Sequence, residues 1–233
     1  MAARTRPLLI AVEGPDGSGK SAAVDDLGRW LERKGRRVSV LAWRPSATVR
    51  AAAAGARTRS ALTPHVTALL AAADDLAQAR REVVPRLRSD RVVLVDRYAW
   101  TGIARDAARG LDRGWSSALR APLPAPDLIV LFRQDPRVVV SRALAIRPPS
   151  EAVEAVAAAF EGFVERLLAA YDGLVVESGS PGTVPWPVPV AVVDAGADAG
   201  RLGADLHDVI RPLLAGERLP GGRVGGDRAR VAA

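Results

Sequence analysis

The sequence predicts an α/β fold in which helices cover both faces of a parallel sheet. Two observations predict it. Short apolar runs alternate along the chain with helical patterns, and these runs are continuous, which is typical of strands buried on both faces. The five strand-like segments are residues 8–12, 38–43, 92–95, 128–132 and 188–193. At 233 residues the chain is long enough to bury a core, and its length favours one or two domains.

Helical patterns fill the segments between these runs. Residues 20–34 carry Val24, Leu27 and Leu31 at helical spacing, and Gly35 then ends the helix. Four further helical stretches are predicted over residues 63–88, 136–146, 151–171 and 201–215.

The first of those four stretches carries its own start and stop signals. Thr63 is a residue type that caps helices, and Pro64 follows it in the first turn. Pro85 is expected to bend or end the same helix, because proline lacks the backbone N–H and its ring crowds the preceding turn.

The composition limits the chemistry. The chain has no cysteine and only His65 and His207 as histidines, which excludes disulfides, thiolate metal sites, cysteine nucleophiles and multi-histidine metal centres. The net charge is +7, and only Lys20 and Lys34 are lysine among 33 basic residues. Because the arginines are spread along the chain among acidic residues, the charge indicates a solvated surface and no nucleic-acid partner.

No targeting or membrane-spanning segment is expected. The apolar run at residues 8–12 is too short for a secretory signal, and Glu13 ends it. No stretch approaches the ~18 apolar residues that a membrane span needs. We therefore expect a cytoplasmic protein without a membrane partner.

The strongest functional signal is a glycine-rich segment after the first predicted strand. The segment reads Gly14, Pro15, Asp16, Gly17, Ser18, Gly19, Lys20, Ser21. It matches the phosphate-loop pattern G-x-x-x-x-G-K-[ST], whose glycines let backbone N–H groups turn toward phosphate oxygens at a helix start. We expect Lys20 to neutralise the β- and γ-phosphates of a nucleoside triphosphate and the Ser21 hydroxyl to ligate Mg²⁺.

Asp16 is an uncommon residue inside such a loop. A carboxylate beside bound phosphates is repelled unless it faces another group, such as a hydroxyl or a metal. We expect Asp16 to accept a hydrogen bond from a sugar hydroxyl of a second substrate. A carboxylate that simply faces water is the alternative.

These motifs resemble the thymidylate kinase family. The resemblance covers about residues 8–215, in the family's order, through the segments 9–21, 92–98, 126–132, 135–142, 160–171 and 192–195. It implies ATP + dTMP → ADP + dTDP with Mg²⁺, a doubly wound five-stranded sheet of the P-loop kinase type, and a homodimer. It also implies one kinase domain over residues 1–215. Residues 216–233, which are rich in glycine and arginine, are expected to form a flexible basic tail.

The resemblance also suggests an acceptor site. Arg97, in the family's Asp-Arg-Tyr motif, follows a strand's carboxyl end, and its forked guanidinium suits the acceptor's phosphate. A surface arginine paired with a nearby acid is the alternative. Asp96 either orients Arg97 or holds a water on Mg²⁺, and Arg44 is a second candidate for the acceptor's phosphate.

A mobile lid is expected at about residues 146–152. A loop with Gly17 beside Asp16 resembles family members in which the lid supplies an arginine to the transferring phosphoryl group. Arg147 precedes two prolines and is the expected catalytic arginine, with Arg142 as the other candidate. Such an arginine is worth ~10³–10⁵ in rate.

The base-reading helix departs from the family's pattern. Where the family commonly has an aromatic and an arginine, this chain has Ala71 and Asp75. A lost aromatic removes about 1 kcal/mol of stacking, and a carboxylate accepts where an arginine donates. Thr101 falls where the family often has a small polar residue, and Arg105 falls where many members have a tyrosine beside the sugar; both are expected to bind the acceptor. A kinase for another nucleoside, modified nucleotide or specialised metabolite, and a non-catalytic nucleotide-binding regulator, are therefore alternatives.

Overall fold

The computed structural model describes residues 6–89, 91–146, 153–179, 184–197 and 199–224. Its strands are β1 Leu8–Glu13, β2 Val38–Ala42, β3 Val92–Asp96, β4 Leu128–Arg133, β5 Pro189–Asp194 and β6 Gly222–Val224. They form one sheet in the order β2-β3-β1-β4-β5-β6, and every neighbouring pair runs parallel. The five predicted strands are confirmed, as is the doubly wound α/β class.

The expected number of strands is wrong by one. β6 pairs with β5, with Pro189 opposite Gly222 and Ala191 opposite Val224, and Val224 packs against the core. β6 falls inside the segment that was expected to form a flexible tail. A three-residue strand that contains a glycine carries no apolar pattern that would indicate it in the sequence. It is recognised as a strand only because it pairs with the free edge of β5.

The helices are α1 Lys20–Arg33, α2 Ala47–Thr58, α3 Pro64–Gln78, α4 Val84–Arg88, α5 Ala99–Ala108, α6 Arg113–Arg120, α7 Pro136–Ile146, α8 Val153–Glu177 and α9 Ala199–Leu214. Helices α2, α5 and α6 were not predicted, whereas the remaining helices overlap the predicted stretches; α8 continues past residue 171 to Glu177, and α9 starts at Ala199. None of the helices in the described ranges is both long and apolar enough to cross a membrane.

The helical stretch from α3 to α4 starts as predicted but passes Pro85. The Thr63 hydroxyl accepts the Val66 N–H, with Pro64 in the first turn. Between α3 and α4 the chain widens into a π-turn, in which the Val84 N–H bonds the Ala79 carbonyl. A widened turn gives the proline ring room, so the helix continues to the end of α4.

The core forms two apolar layers, one on each face of the sheet. Alternate residues of β1 divide between them, because neighbouring side chains of a strand point to opposite faces. Leu8 and Ile10 belong to the layer that contains α1 and α9, and Leu9 belongs to the layer that contains α5 and α8. Because all strands run parallel, their carboxyl ends lie at the same edge of the sheet, where Gly14 follows β1 and Arg97 follows β3.

Candidate active site

The predicted phosphate loop connects β1 to α1. Gly14, Gly17 and Gly19 have positive φ angles of 133°, 78° and 81°, a region that side chains rarely adopt. A Cβ at residue 14 would lie 2.6 Å from the carbonyl oxygen of Phe132, so only glycine fits between β1 and β4. The loop curls because its glycines permit it, and it delivers the chain directly into the first turn of α1.

Lys20 lies buried beneath this loop. Its Nζ donates to the Pro15 carbonyl and to Ser18 Oγ, at 3.1 Å in the second case. Burial, with a smaller contribution from the charge of Arg97, lowers the pKa of Lys20 to about 8. A phosphate group bound in the loop would reverse this effect, because its negative charge stabilises the ammonium form.

Ser21 and Asp96 lie together where α1 begins and β3 ends. The Ser21 hydroxyl donates to Asp96 Oδ2 at 2.5 Å. Asp96 Oδ1 is buried and lacks a hydrogen-bond partner within the described ranges. A hydroxyl beside a carboxylate with a free oxygen fits Mg²⁺, which binds through one or two carboxylates together with waters and substrate phosphates. The described segments hold no larger group of metal-ligating side chains.

Asp16 bridges two arginines. Its Oδ1 accepts from Arg97 Nη2, and its Oδ2 accepts from Arg105 Nη2 at 3.1 Å. Partial burial by itself raises the pKa of Asp16, but the charges of Arg97 and Arg105 outweigh it and the pKa falls below the ordinary value. In this structure two guanidinium groups face Asp16, where a sugar hydroxyl was expected.

Arg97 is oriented by the loop and by Asp16. Its backbone has φ +72°, which is uncommon outside glycine, and its N–H donates to the Val12 carbonyl at 2.8 Å. Its Nη1 donates to the Gly14 carbonyl at 3.3 Å. In this structure the Arg97 side chain bonds Asp16 and the Gly14 carbonyl, whereas the Asp96 side chain accepts from Ser21.

Two adjoining cavities form one cleft at this edge of the sheet. The loop cavity, about 580 Å³, is lined by the phosphate loop, Ser21 and Asp96. The helix cavity, about 270 Å³, is lined mainly by α2, α3 and α5. The residues that line both are Trp43, Arg44, Pro45, Arg97 and Arg105. The structure thus brings the predicted cations Lys20, Arg44, Arg97 and Arg105 to a single cleft.

The helix cavity contains the residues at which the chain departs from the family's pattern. Ala71, Asp75 and Thr101 all line it. The Thr101 hydroxyl is already engaged, because it donates to Glu13 Oε2 at 2.5 Å and lies 2.9 Å from the Tyr171 hydroxyl.

Glu13 is a residue of this site that the sequence analysis missed. It is fully buried at the end of β1, where its Oε1 accepts the Trp100 N–H at 3.0 Å. Burial raises the pKa of Glu13 from 4.5 to about 7, although the Thr101 hydrogen bond and the Arg97 charge act in the opposite direction. An acid that ends an apolar run just before a phosphate loop was the only signal for it.

A second missed group is the ionic cluster around Arg120. Asp75 accepts the Trp43 indole N–H at 2.7 Å and Arg120 Nε at 3.1 Å. Arg120 Nη1 donates to Asp106 Oδ2 at 3.0 Å and to Ser116 Oγ at 2.8 Å. Nothing in the pattern of α6 distinguishes Arg120 from the many surface arginines of the chain.

Of the two candidates for the lid arginine, Arg142 lies within the described residues. Arg147 and all but the first residue of the lid expected at about residues 146–152 lie outside the described residues, and Ile146 ends α7. Arg142, near the end of α7, donates from Nη1 to the Gly17 carbonyl at 2.5 Å, and its Cβ would lie 3.2 Å from a Cβ at Gly17. Arg142 therefore packs against the outer side of the phosphate loop.

This fold and cleft define a P-loop phosphotransferase, and comparisons with known proteins identify its family. A family model described as thymidylate kinase matches residues 12–178. A probable thymidylate kinase of Pyrobaculum aerophilum is 30% identical over 207 residues, 88% of this chain and 97% of its own. One of Pyrobaculum calidifontis is 30% identical over 91% of this chain and 100% of its own. The chain belongs to the thymidylate kinase family.

A further relative matches a shorter region. The probable thymidylate kinase 2 of Saccharolobus solfataricus is 34% identical over 137 residues, which is 59% of this chain and 64% of that protein. The chain is accordingly a kinase of the nucleotide-binding transferase class, and the resemblance on which the sequence analysis rested is confirmed.

Proposed function

We propose that the protein transfers the γ-phosphoryl group of ATP to dTMP, forming ADP and dTDP. The carrying observation is the continuity of the cleft: the cations of the loop cavity and the walls of the helix cavity meet at Arg97 and Arg105. In the transfer, an oxygen of the acceptor's phosphate forms a bond to the γ-phosphorus while the bond to the oxygen of ADP breaks. Catalysis of this reaction is mainly positioning and neutralisation of charge.

Each predicted site residue has a role in this proposal. The loop from Gly14 to Gly19 binds the donor's phosphates through its backbone, and Lys20 neutralises the β- and γ-phosphates. Arg97 holds the acceptor's phosphate, with Arg44 as a further cation at the wall that both cavities share. Asp16 and Arg105 lie beside Arg97 and would contact the acceptor near its sugar.

Mg²⁺ would be held by Ser21 and Asp96, and it would supply charge neutralisation between the donor's phosphates. Arg147 precedes two prolines after α7 and is the proposed lid arginine. Arg142 is the alternative, because its contact with the Gly17 carbonyl supports a position beside the donor.

The proposal also covers the domain organisation, the oligomeric state and the location of the protein. One kinase domain accounts for both cavities, because their walls come from the same sheet and its connecting helices. Membership of the thymidylate kinase family favours a homodimer and a cytoplasmic enzyme. Size-exclusion chromatography with light scattering would test the dimer.

The experiment is a coupled assay of ADP release. Purified protein with ATP and Mg²⁺ is given dTMP, dUMP, UMP, CMP, GMP, AMP or the corresponding nucleosides. dTMP should give the highest kcat/KM, and Lys20→Ala should abolish the signal. If no acceptor in this panel led to ADP release, the proposal would be contradicted.

A second candidate is a kinase for a different acceptor. It is favoured by one observation: Ala71 and Asp75 line the helix cavity in place of an aromatic and an arginine. Higher kcat/KM for another nucleotide or a nucleoside in the same panel would select it.

A further inference from the structure

A chain of buried hydrogen bonds runs from the end of β1 to the first residue of the phosphate loop. The Glu13 carboxyl group contacts the Thr101 hydroxyl at 2.5 Å, and this hydroxyl lies 2.9 Å from the Tyr171 hydroxyl. The Tyr171 hydroxyl in turn reaches the Gly14 carbonyl at 3.4 Å, a long hydrogen bond. All four residues are buried, so these groups depend on one another for hydrogen bonds.

The two hydroxyls have one proton each, which limits how this chain is arranged. Glu13 Oε1 accepts the Trp100 N–H, so Oε2 is the oxygen that faces Thr101. When Glu13 is ionised, Thr101 donates to Oε2 and Tyr171 donates to Thr101, because otherwise two lone pairs would face each other at 2.9 Å. The Tyr171 proton is then turned away from the Gly14 carbonyl.

A proton on Glu13 reverses the whole chain. Oε2 then donates to Thr101, Thr101 donates to Tyr171, and Tyr171 donates to the Gly14 carbonyl. Each hydroxyl keeps its own proton and only turns it, so the chain gains one proton in total. Tyr171 stays neutral in both arrangements, because burial and, to a smaller extent, the charge of Glu13 raise its pKa above the usual range.

The Gly14 carbonyl has a second partner. Arg97 Nη1 donates to it at 3.3 Å, and Arg97 is also the cation assigned above to the acceptor's phosphate. A phosphate that engages Arg97 draws the guanidinium away from this carbonyl, and a buried carbonyl without a donor is destabilising. Of the two arrangements of the chain, only the one with a protonated Glu13 supplies Tyr171 as the replacement donor.

The charges that face Glu13 act in the same direction. Burial raises the pKa of Glu13 to about 7, while Arg97 after β3 and Lys20 of α1 favour the ionised carboxylate. The other titratable groups that face it are Tyr98 and Tyr171, whose pKa values burial raises, so both stay neutral. A phosphate bound at Arg97 offsets the positive charge that favours the carboxylate, so Glu13 then binds a proton more readily.

We propose that Glu13 is a positioning residue that takes up a proton from solvent when the acceptor's phosphate binds Arg97, an assignment that rests on the function proposed above. The proton turns the hydroxyls of Thr101 and Tyr171, and Tyr171 then donates to the Gly14 carbonyl that Arg97 has left. The phosphate loop thereby keeps its first residue in place while Arg97 binds the acceptor. Glu13 lines neither cavity and acts through the two hydroxyls.

The test is calorimetry of dTMP binding to the full chain without ATP, at pH 8, where the dTMP phosphate is already a dianion. Titrations in two buffers of different ionisation enthalpy give the number of protons taken up per dTMP. The wild-type protein should take up about half a proton, because a carboxyl group with a pKa of about 7 is mostly ionised at pH 8 before the nucleotide binds. No uptake by the wild type would overturn the assignment.

Glu13→Gln identifies the group that binds this proton. The amide donates to Thr101 as the protonated acid does, so the variant should take up about half a proton less. It should bind dTMP about 3- to 10-fold more tightly than wild type at pH 8 and equally at pH 6. Because Lys20 also titrates near pH 8, only the difference between the two proteins is assigned to Glu13. Glu161→Gln, on the exposed surface of α8, is the matched control and should follow the wild type. Equal proton uptake by wild type and Glu13→Gln would overturn the assignment.

Tyr171→Phe tests the chain itself, because it removes only the donor to the Gly14 carbonyl. In this background the gain in dTMP affinity from Glu13→Gln at pH 8 should shrink to less than half. Ser178→Ala is the control, since it removes another buried hydroxyl, which bonds the Val175 carbonyl, and it should keep the full gain. An unchanged gain in Tyr171→Phe would show that the charge of Glu13 acts without the chain, which overturns the assignment. If Tyr171→Phe does not fold, the comparison of wild type with Glu13→Gln decides.

The outcomes separate this assignment from the proposed function. Proton uptake at Glu13 without turnover of dTMP would contradict the proposed function and leave the assignment standing. Turnover of dTMP with equal proton uptake by wild type and Glu13→Gln would do the reverse. Failure of dTMP to bind at all would overturn both.

Discussion

The donor and acceptor halves of the cleft are assembled differently. The donor half is a continuous segment, residues 14–21, whose geometry comes from glycine backbone and the first turn of α1. The acceptor half is built from side chains that are distant in sequence: Arg120 binds Asp75 across 45 residues, and Trp43 binds Asp75 across 32. A site of backbone N–H groups depends on a local motif, whereas a site of paired side chains depends on how helices pack.

The largest effect is expected in the donor half. Lys20→Ala should lower kcat/KM by ~10³-fold, because it removes a preorganised cation from the charge that develops during transfer. The fold should persist, since Ser18 still bonds the Pro15 carbonyl. Steady-state kinetics and circular dichroism check both parts. Activity near the wild-type level would remove the phosphate loop from the mechanism.

Glu13 connects the two halves, since it ends β1 and bonds the first turn of α5. Its raised pKa means that the folded protein favours the protonated form, so this contribution to stability is full below about pH 4.5 and is lost as the pH rises through about 7. Glu13→Gln stays neutral, and it should be roughly 3 kcal/mol more stable than wild type at pH 8 but little different at pH 5. Urea unfolding at both values measures this.

The control for that experiment is Glu161→Gln, on the exposed surface of α8. It should follow the wild-type stability at both pH values. Parallel curves for Glu13→Gln and wild type would show that Glu13 ionises normally.

In the acceptor half, Arg97→Ala should raise the KM for dTMP by about 10- to 100-fold and leave the KM for ATP nearly unchanged. Arg29→Ala is a matched control, since Arg29 is an exposed arginine whose ion pair with Asp26 lies on α1. It should change neither constant. An unchanged KM for dTMP in Arg97→Ala would assign the acceptor's phosphate to another cation.

The smallest effect is expected where the acceptor half depends on close packing. Gly102→Ala would place a methyl group 2.4 Å from the Arg120 guanidinium, which is fully buried and cannot move away freely. We expect about tenfold weaker binding of dTMP with unchanged binding of ATP. Gly55→Ala on α2 meets no atom within 4 Å and should have no such effect. Calorimetry with each nucleotide measures both variants.

The fold followed from the sequence wherever a pattern repeats within a segment. The strands β1 to β5 are continuous apolar runs, and α1 carries helical spacing with Gly35 after it. β6 escaped prediction because its pairing with β5 is all that makes it a strand. Helices α2, α5 and α6 escaped prediction; they have only 12, 10 and 8 residues, so each offers few turns over which a pattern can repeat.

The same division holds within the site. Lys20, Ser21 and Arg97 could be predicted because they belong to motifs with a known spacing. Thr101 was predicted to contact the acceptor, and the structure adds that its hydroxyl bonds Glu13 and Tyr171. Asp75 was recognised as a departure from the family's pattern, but its partner Arg120 was not.

The amino-acid sequence by itself determined strands β1 to β5, the phosphate loop and the family, because each depends on residues that are neighbours along the chain. Only the tertiary structure decided which charges meet in the acceptor half. The physical reason is that an ion pair needs its two groups within a few ångströms, and for Asp75, Asp106 and Arg120 the packing of α3, α5 and α6 sets that distance.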